Sequence, residues 1–288
     1  MIRILICLVL AAALALPAAA EDTKEKAVFD LLLIGTDATT EEETGRSDAM
    51  VLVRLDAEAG EVRMISFLRD LYVRIPGYGR NRLNAAYAFG GAELLLSTLE
   101  ENFGVRADGW AEVDFSRLTK VIDRIGGVEA DVSEAERRQL NGILMHYNRA
   151  IGEEETDGLL TEAGLLSLTG KQALCYSRIR KIDGDLQRTS RQREVLEAAF
   201  RKVTALDAWS LAVLALESLE AVKTNLSAWG IIRLIPLALR ARDAAFTSMT
   251  VPMAGAWQDK TVNGMQVLAV DEAAVRAQVS AFLAGKGE

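Results

Sequence analysis

FDLLLIG, residues 29–35, is a continuous apolar run closed by glycine, the pattern of a central strand buried on both faces. Outward from it, segment 36–48 is polar, has no aliphatic side chain larger than alanine, and reads as a loop. Residues 49–56 alternate as a second strand, 57–60 turn, and 61–66 return as its hairpin partner. A short strand follows at 71–75, closed by Pro76-Gly77-Tyr78-Gly79. Asn84 can cap a short helix, Gly90-Gly91 breaks the pattern, and 92–103 resumes it. Strands are then expected at 109–113, 128–132 and 247–251. Helices are expected over 114–125, 133–149, 171–177, 189–204 and 271–283, with two more inside 208–242. Thr169 and Gln172 have the spacing of a capping box at the start of one of them. This alternation predicts an α/β domain with a mixed sheet sandwiched between helices.

Half of the 288 residues are apolar, enough for one large core. The net charge of -8 argues against nucleic acid as a partner, because the diffuse positive surface such binders use is missing. Residues 1–20 read as an export leader, with Arg3 ahead of the apolar run Ile4–Leu16 and small residues at 18–20. The competing reading is an uncleaved N-terminal anchor. Either places the body outside the cytoplasm. Beyond the leader, Cys175 is the single cysteine and His146 the single histidine of the chain, which excludes a His/Cys zinc cluster and leaves a Ser-His-Asp triad without support. Cys175 is expected in the core and His146 on the surface.

Against this acidic background, Tyr176–Glu194, YSRIRKIDGDLQRTSRQRE, gathers Arg178, Arg180, Lys181, Arg188, Arg191 and Arg193 around an Asp183-Gly184-Asp185 turn. Guanidinium groups on two sides of a tight turn can converge on one anion, and their fork matches phosphate oxygens. The alternative is a solvated basic face. Asp37 and Asp48 close the two ends of the loop between the first strands. With no thiolate or imidazole nearby they suit a hard cation such as Mg2+; each could equally serve only its own turn. Arg69-Asp70 follows the third strand beside that loop, and Arg80 and Arg82 follow a Gly-Tyr-Gly turn. Two carboxylates and several arginines on one face form an inventory for metal-assisted phosphoryl chemistry.

Five ordered blocks, IGTDATTEEETGRSDAM, SFLRD, IPGYGRNRLNAAYAFGG, VDFSRLTKVIDRIGGVEADV and LTGKQALCYSRIRKIDGDLQRTSRQREVL, closely resemble the LytR-CpsA-Psr family of bacterial cell-envelope enzymes. The match is dense over 28–202 and looser over 203–288, so 28–288 is taken as one catalytic domain. The resemblance implies a three-layer α/β/α sandwich with a central mixed β-sheet. It also implies an extracytoplasmic phosphotransferase, secreted or membrane-associated at the cell envelope. Such an enzyme moves a glycopolymer, for example a teichoic acid or capsule polysaccharide, from a polyprenyl-pyrophosphate carrier to peptidoglycan, with Mg2+ or Mn2+. Asp37 and Asp48 then look like metal ligands, and Arg46, Arg69, Arg82, Arg178, Arg180, Arg188 and Gln192 like pyrophosphate-binding residues, while Lys181, Arg191 and Arg193 keep the reading of a solvated face. Arg69, Asp70 and Asp37 stand as the catalytic set. Val121, Ile122, Ile125, Leu196 and Phe200 could line a lipid tunnel, their default being ordinary core. Two rival readings use the same residues: a non-catalytic polyprenyl-phosphate binder and a pyrophosphatase.

Overall fold

The computed structural model describes residues 27–36, 47–218 and 222–285. Asp37, Arg46 and the leader lie outside the described residues. The central sheet has six strands: β1 (Val28–Thr36), β2 (Ser47–Asp56), β3 (Glu61–Phe67), β6 (Gly109–Asp114), β9 (Lys223–Thr224) and β10 (Ala245–Val251). Their order is β10-β3-β2-β1-β6-β9. β1, β2 and β3 form an antiparallel meander, whereas β6 joins β1 and β10 joins β3 in parallel, so the sheet is mixed. The FDLLLIG strand sits inside it, as its unbroken hydrophobicity requires.

Alternation along the strands divides the core in two. Met50 and Leu52 of β2 face a layer formed by α1 (Leu83–Phe103) and α8 (Glu272–Leu283), where Leu95, Leu99, Phe103, Val275 and Val279 are buried. Val51 and Val53 face the opposite way, with Val62 and Met64 of β3, onto Leu196 and Phe200 of α5 (Asp185–Ala205). Ala241 and Ala244, just past α7 (Ala228–Arg240), complete this second face, and α6 (Ala208–Ser218) packs on α7. Each well-buried aliphatic side chain contributes about 1.5–3 kcal/mol, so both faces are needed to hold the sheet. The fold is the expected three-layer α/β/α sandwich.

A satellite core lies beside the sandwich. It joins α2 (Phe115–Arg124), α3 (Glu134–Ala150) and α4 (Gly170–Tyr176) to the hairpin of β7 (Val128–Val132) and β8 (Gly164–Leu168). Ile122 is fully buried there with Cys175 and Ile179, and Ile125 packs against the same cluster. These isoleucines are therefore placed away from the sheet layer where Leu196 and Phe200 lie. The Thr169–Gln172 capping box is present at the start of α4, and Ser133 with Glu136 forms another at the start of α3.

Several elements differ from the sequence expectation. Gly90 and Gly91 are not among them: both leave the helical backbone region and break α1 at a kink, as expected, with Gly91 at φ 64°, where a side chain would be strained. α5 begins at Asp185 rather than Thr189, because Gly184 at φ 87° supplies the turn into it. The Gly-Tyr-Gly turn continues into a strand: β4 (Tyr72–Ile75) pairs with β5 (Gly79–Arg82). A further hairpin, β11 (Gln258–Val262) and β12 (Met265–Ala269), turns at Asn263-Gly264, both with positive φ. No helix among the described residues is long and apolar enough to cross a membrane.

Candidate active site

The antiparallel pairing of β2 and β3 brings the start of one and the end of the other to the same edge of the sheet. There, Arg69 Nη1 donates to Asp48 Oδ1 at 2.6 Å. The segment carrying Arg69 is pinned from three sides: Leu68 N–H donates to Val251, Asn84 N–H to the Arg69 carbonyl, and Leu268 N–H to the Asp70 carbonyl. Sheet, α1 and β12 thus fix one short loop. On its other side, Arg180 lies in the turn between α4 and α5, which Ile179 anchors by inserting fully into the satellite core.

The charged side chains form an alternating series. Arg82 Nη1 lies 3.3 Å from Asp70 Oδ1, Asp70 Oδ2 lies 3.6 Å from Arg69 Nε, and Arg69 holds Asp48. Asp48 Oδ2 is 3.8 Å from Arg180 Nη2, and Arg180 and Arg188 both approach Asp185 Oδ1, at 3.6 and 3.5 Å. Among the described residues, four guanidinium groups stand against three carboxylates in this series. Burial works to lower the Arg69 pKa, but the hydrogen bond and charge of Asp48, with Asp70 and Asp185 behind it, raise it above the ordinary arginine value.

Arg188 is the sharpest feature. Its side chain is 4 % exposed, and its Nε and Nη1 have no hydrogen-bond partner. A desolvated cation with unused donors is costly, and these two nitrogens can serve an anion. Gln192 follows one helical turn later and is half-buried. Arg178 is half-buried just past α4, where its charge is felt at Tyr147 and Cys175. Arg80 is placed elsewhere, paired with Glu272 of α8 at 2.6 Å.

Two residues in the cleft had not been singled out in the sequence. Asp185 bridges Arg180 and Arg188; its place in an Asp-Gly-Asp turn was the available signal. Thr36, at the end of β1 and the register partner of Ser47 at the start of β2, is 1 % exposed, and its hydroxyl oxygen has no hydrogen-bond partner. Among the described residues no group of three or more His, Cys, Asp or Glu could hold a metal ion. The oxygens of Asp48 and Thr36 are nevertheless hard donors, and they fit Mg2+, which takes few protein carboxylates and completes its shell with phosphate and water. Asp37, the other expected ligand, is outside the described residues.

The arginines expected to be a solvated face are not. Arg191 is 5 % exposed and bonds Glu136 of α3 at 2.7 Å, Asp183, and the Ile179 carbonyl at 3.2 Å, clamping the turn that carries Arg180. Arg193 reaches the sheet, donating to Ser66 and Thr250. Lys181 alone of the three is exposed. Cys175 is fully buried, and burial pushes its thiol pKa up to about 12, so it is a core residue rather than a nucleophile, and His146 is exposed, each where the sequence places it.

A LytR_cpsA_psr family model matches residues 13–282. The chain belongs to the LytR-CpsA-Psr family. Among curated members, the polyisoprenyl-teichoic acid–peptidoglycan teichoic acid transferase TagU of Oceanobacillus iheyensis is 34% identical over 190 residues, covering 63% of this chain and 53% of the relative. The chain spans about half the length of the first curated relatives it matches. Among solved LytR-CpsA-Psr structures, TagT bound to LIIa-WTA aligns with TM-score 0.73 and 28% identity over 94% of this chain and 95% of that one. YwtF (TagT) with bound octaprenyl pyrophosphate lipid aligns with TM-score 0.67 and 27% identity over 92% and 94%.

Proposed function

We propose that this LytR-CpsA-Psr protein is an extracytoplasmic phosphotransferase of the bacterial cell envelope. It takes a glycopolymer from a polyprenyl-pyrophosphate carrier at the membrane surface and attaches it to a peptidoglycan hydroxyl. The observation that carries the reading is Arg188: a buried guanidinium with free donors, at the end of a series in which arginines outnumber carboxylates, suits a multiply charged anion. That two relatives are described with a polyprenyl-pyrophosphate lipid and as a teichoic acid transferase supports the same anion and the same transfer.

In the proposed reaction, the acceptor hydroxyl oxygen attacks the sugar-linked phosphorus. A new P–O bond forms as the bond from that phosphorus to the bridging oxygen breaks, and polyprenyl monophosphate leaves with the bond electrons. Arg69, Arg180 and Arg188 neutralise the charge that builds on the phosphoryl oxygens, the dominant form of catalysis in such transfers. The acceptor proton passes to Asp70, whose carboxylate lies between Arg82, near its Oδ1, and Arg69, near its Oδ2. A Mg2+ or Mn2+ ion on Asp48 and Asp37 would supply further neutralisation at the pyrophosphate.

The test is turnover of a polyprenyl-pyrophosphate-linked sugar with peptidoglycan oligomers and Mg2+. A covalent glycan-phosphate adduct on the oligomer, lost in excess chelator, is the expected result. Release of free sugar phosphate at the same rate without oligomer would make the protein a pyrophosphatase. Bound lipid without turnover would make it a carrier.

A further inference from the structure

Arg193 is a cation that the charged cleft does not use. It lies on α5 beyond Arg188, about 7.5 Å along the axis at 1.5 Å per residue. Its Nη1 donates to Thr250 Oγ1 at 2.8 Å and to Ser66 Oγ at 3.1 Å, and no carboxylate lies within ion-pair distance of it among the described residues. Burial lowers its pKa from the ordinary arginine value, against a weaker pull from Glu194, whose carboxylate is engaged by the Tyr176 hydroxyl at 2.9 Å. A guanidinium still protonated at any physiological pH is thus held in a partly dry place by two neutral hydroxyls.

What surrounds it is graded. Ser66 and Thr250 are register partners on β3 and β10, and the next pairs on the same face are Met64 with Ser248 and Val62 with Phe246. Above them on α5, Leu196 and Phe200 follow Arg193 at three and seven residues, on the same side of the helix. Leu196, Phe200 and Phe246 all pack on this face, and all remain only partly buried. Along α5 away from the cleft the order is therefore a buried cation without hydrogen bonds at Nε and Nη1, a cation on a hydroxyl pair, then a partly buried apolar layer whose Phe246 ring is covered by Arg201 at 4.5 Å. That is the polarity profile of a phosphate ester followed by a hydrocarbon chain.

We infer that Arg193, with the Ser66 and Thr250 hydroxyls, seats the prenyl-linked phosphate of the lipid carrier at the neck between the charged cleft and the apolar layer. Arg193 would bind the departing phosphate, while Arg188 and Arg69 hold the sugar-linked one. This rests on the proposed function, since it takes the lipid carrier as the ligand.

The test compares binding of farnesyl phosphate and farnesol to the whole protein by calorimetry. Wild-type protein is expected to prefer farnesyl phosphate, and Arg193→Gln to lose roughly tenfold to a hundredfold of that preference while binding farnesol unchanged, the range for removing a charge-assisted contact. Thr250→Asp, which gives Arg193 a carboxylate partner without removing it, is expected to erase the preference too and serves if Arg193→Gln does not fold. A preference unchanged in these variants would overturn the seat and leave the transferase reading standing. Equal loss for both ligands would also overturn it, as the sign of a merely structural arginine. Wild-type protein that bound neither farnesyl phosphate nor farnesyl pyrophosphate would contradict the proposed function itself.

Discussion

Arg69 and Asp48 meet at 2.6 Å although one follows β3 and the other opens β2. The hairpin geometry makes the meeting obligatory: in an antiparallel pair, the entry of one strand and the exit of the other share an edge. The contact is partly buried on both sides, so it is worth more than a surface ion pair and it orients Arg69 toward the cleft.

Removing either partner should therefore damage transfer more than stability. Arg69→Ala and Asp48→Ala are each expected to lower kcat roughly 100- to 1,000-fold, the range for loss of one preorganised electrostatic contact. Arg69→Lys should not rescue, because a point charge cannot hold Asp48 and a phosphate oxygen together. Single-turnover rates on a polyprenyl-pyrophosphate sugar check this, and near-normal rates in all three variants would remove Arg69 from the catalytic set.

Arg188 should show the opposite signs for stability and function. With no hydrogen bond at Nε or Nη1 and only the 3.5 Å approach of Asp185, its burial is a cost that the unliganded fold carries. Arg188→Met should leave the melting temperature unchanged or raise it, while weakening pyrophosphate binding about 100-fold or more. Thermal unfolding and titration with inorganic pyrophosphate measure the two. A large loss of stability would mean that Arg188 is held by the fold rather than reserved for an anion.

The clamp on the Arg180 turn gives a pH dependence with a definite sign. Burial works to raise the Glu136 pKa, but hydrogen bonds from Ser133 and Arg191 outweigh it and hold the carboxylate below its ordinary value of 4.5. A depressed folded-state pKa contributes stability that is present above pH 4.5 and is lost as pH falls through the lower folded value. Glu136→Gln is thus expected to cost about 1–2 kcal/mol at pH 7, with the gap to wild type closing in acid. Urea midpoints at pH 7 and pH 3 check it; a constant gap would show that the charge is not what matters.

The sandwich was legible because its signals are local. The run 29–35 could hardly be anything but a buried strand, and the Thr169–Gln172 box marked α4 to within one residue. What escaped had either weak patterning or long range. β8 carries Leu165 in the open beside Leu166, so its hydrophobicity does not alternate although its burial does, and β11 is polar up to Val262, although Asn263-Gly264 was a hairpin signal in plain view. The start of α5 was misplaced because Thr189 and Ser190 resemble caps, whereas Gly184 makes the turn. The site divided the same way: Arg69, Asp70, Arg180 and Arg188 stand near turns that show in the sequence. The roles of Arg191 and Arg193 depend on Glu136, Ser66 and Thr250, from 55 to 127 residues away, and nothing local could separate them from a solvated face.

The central claim is that the arginine-rich cleft is a pyrophosphate site, and a crystal structure with a prenyl pyrophosphate tests it most directly. The expected result is a phosphate oxygen within hydrogen-bonding distance of Arg188 Nε and Nη1, with Arg69 and Arg180 on the same group. A ligand bound elsewhere, with both Arg188 nitrogens still unpartnered, would contradict it.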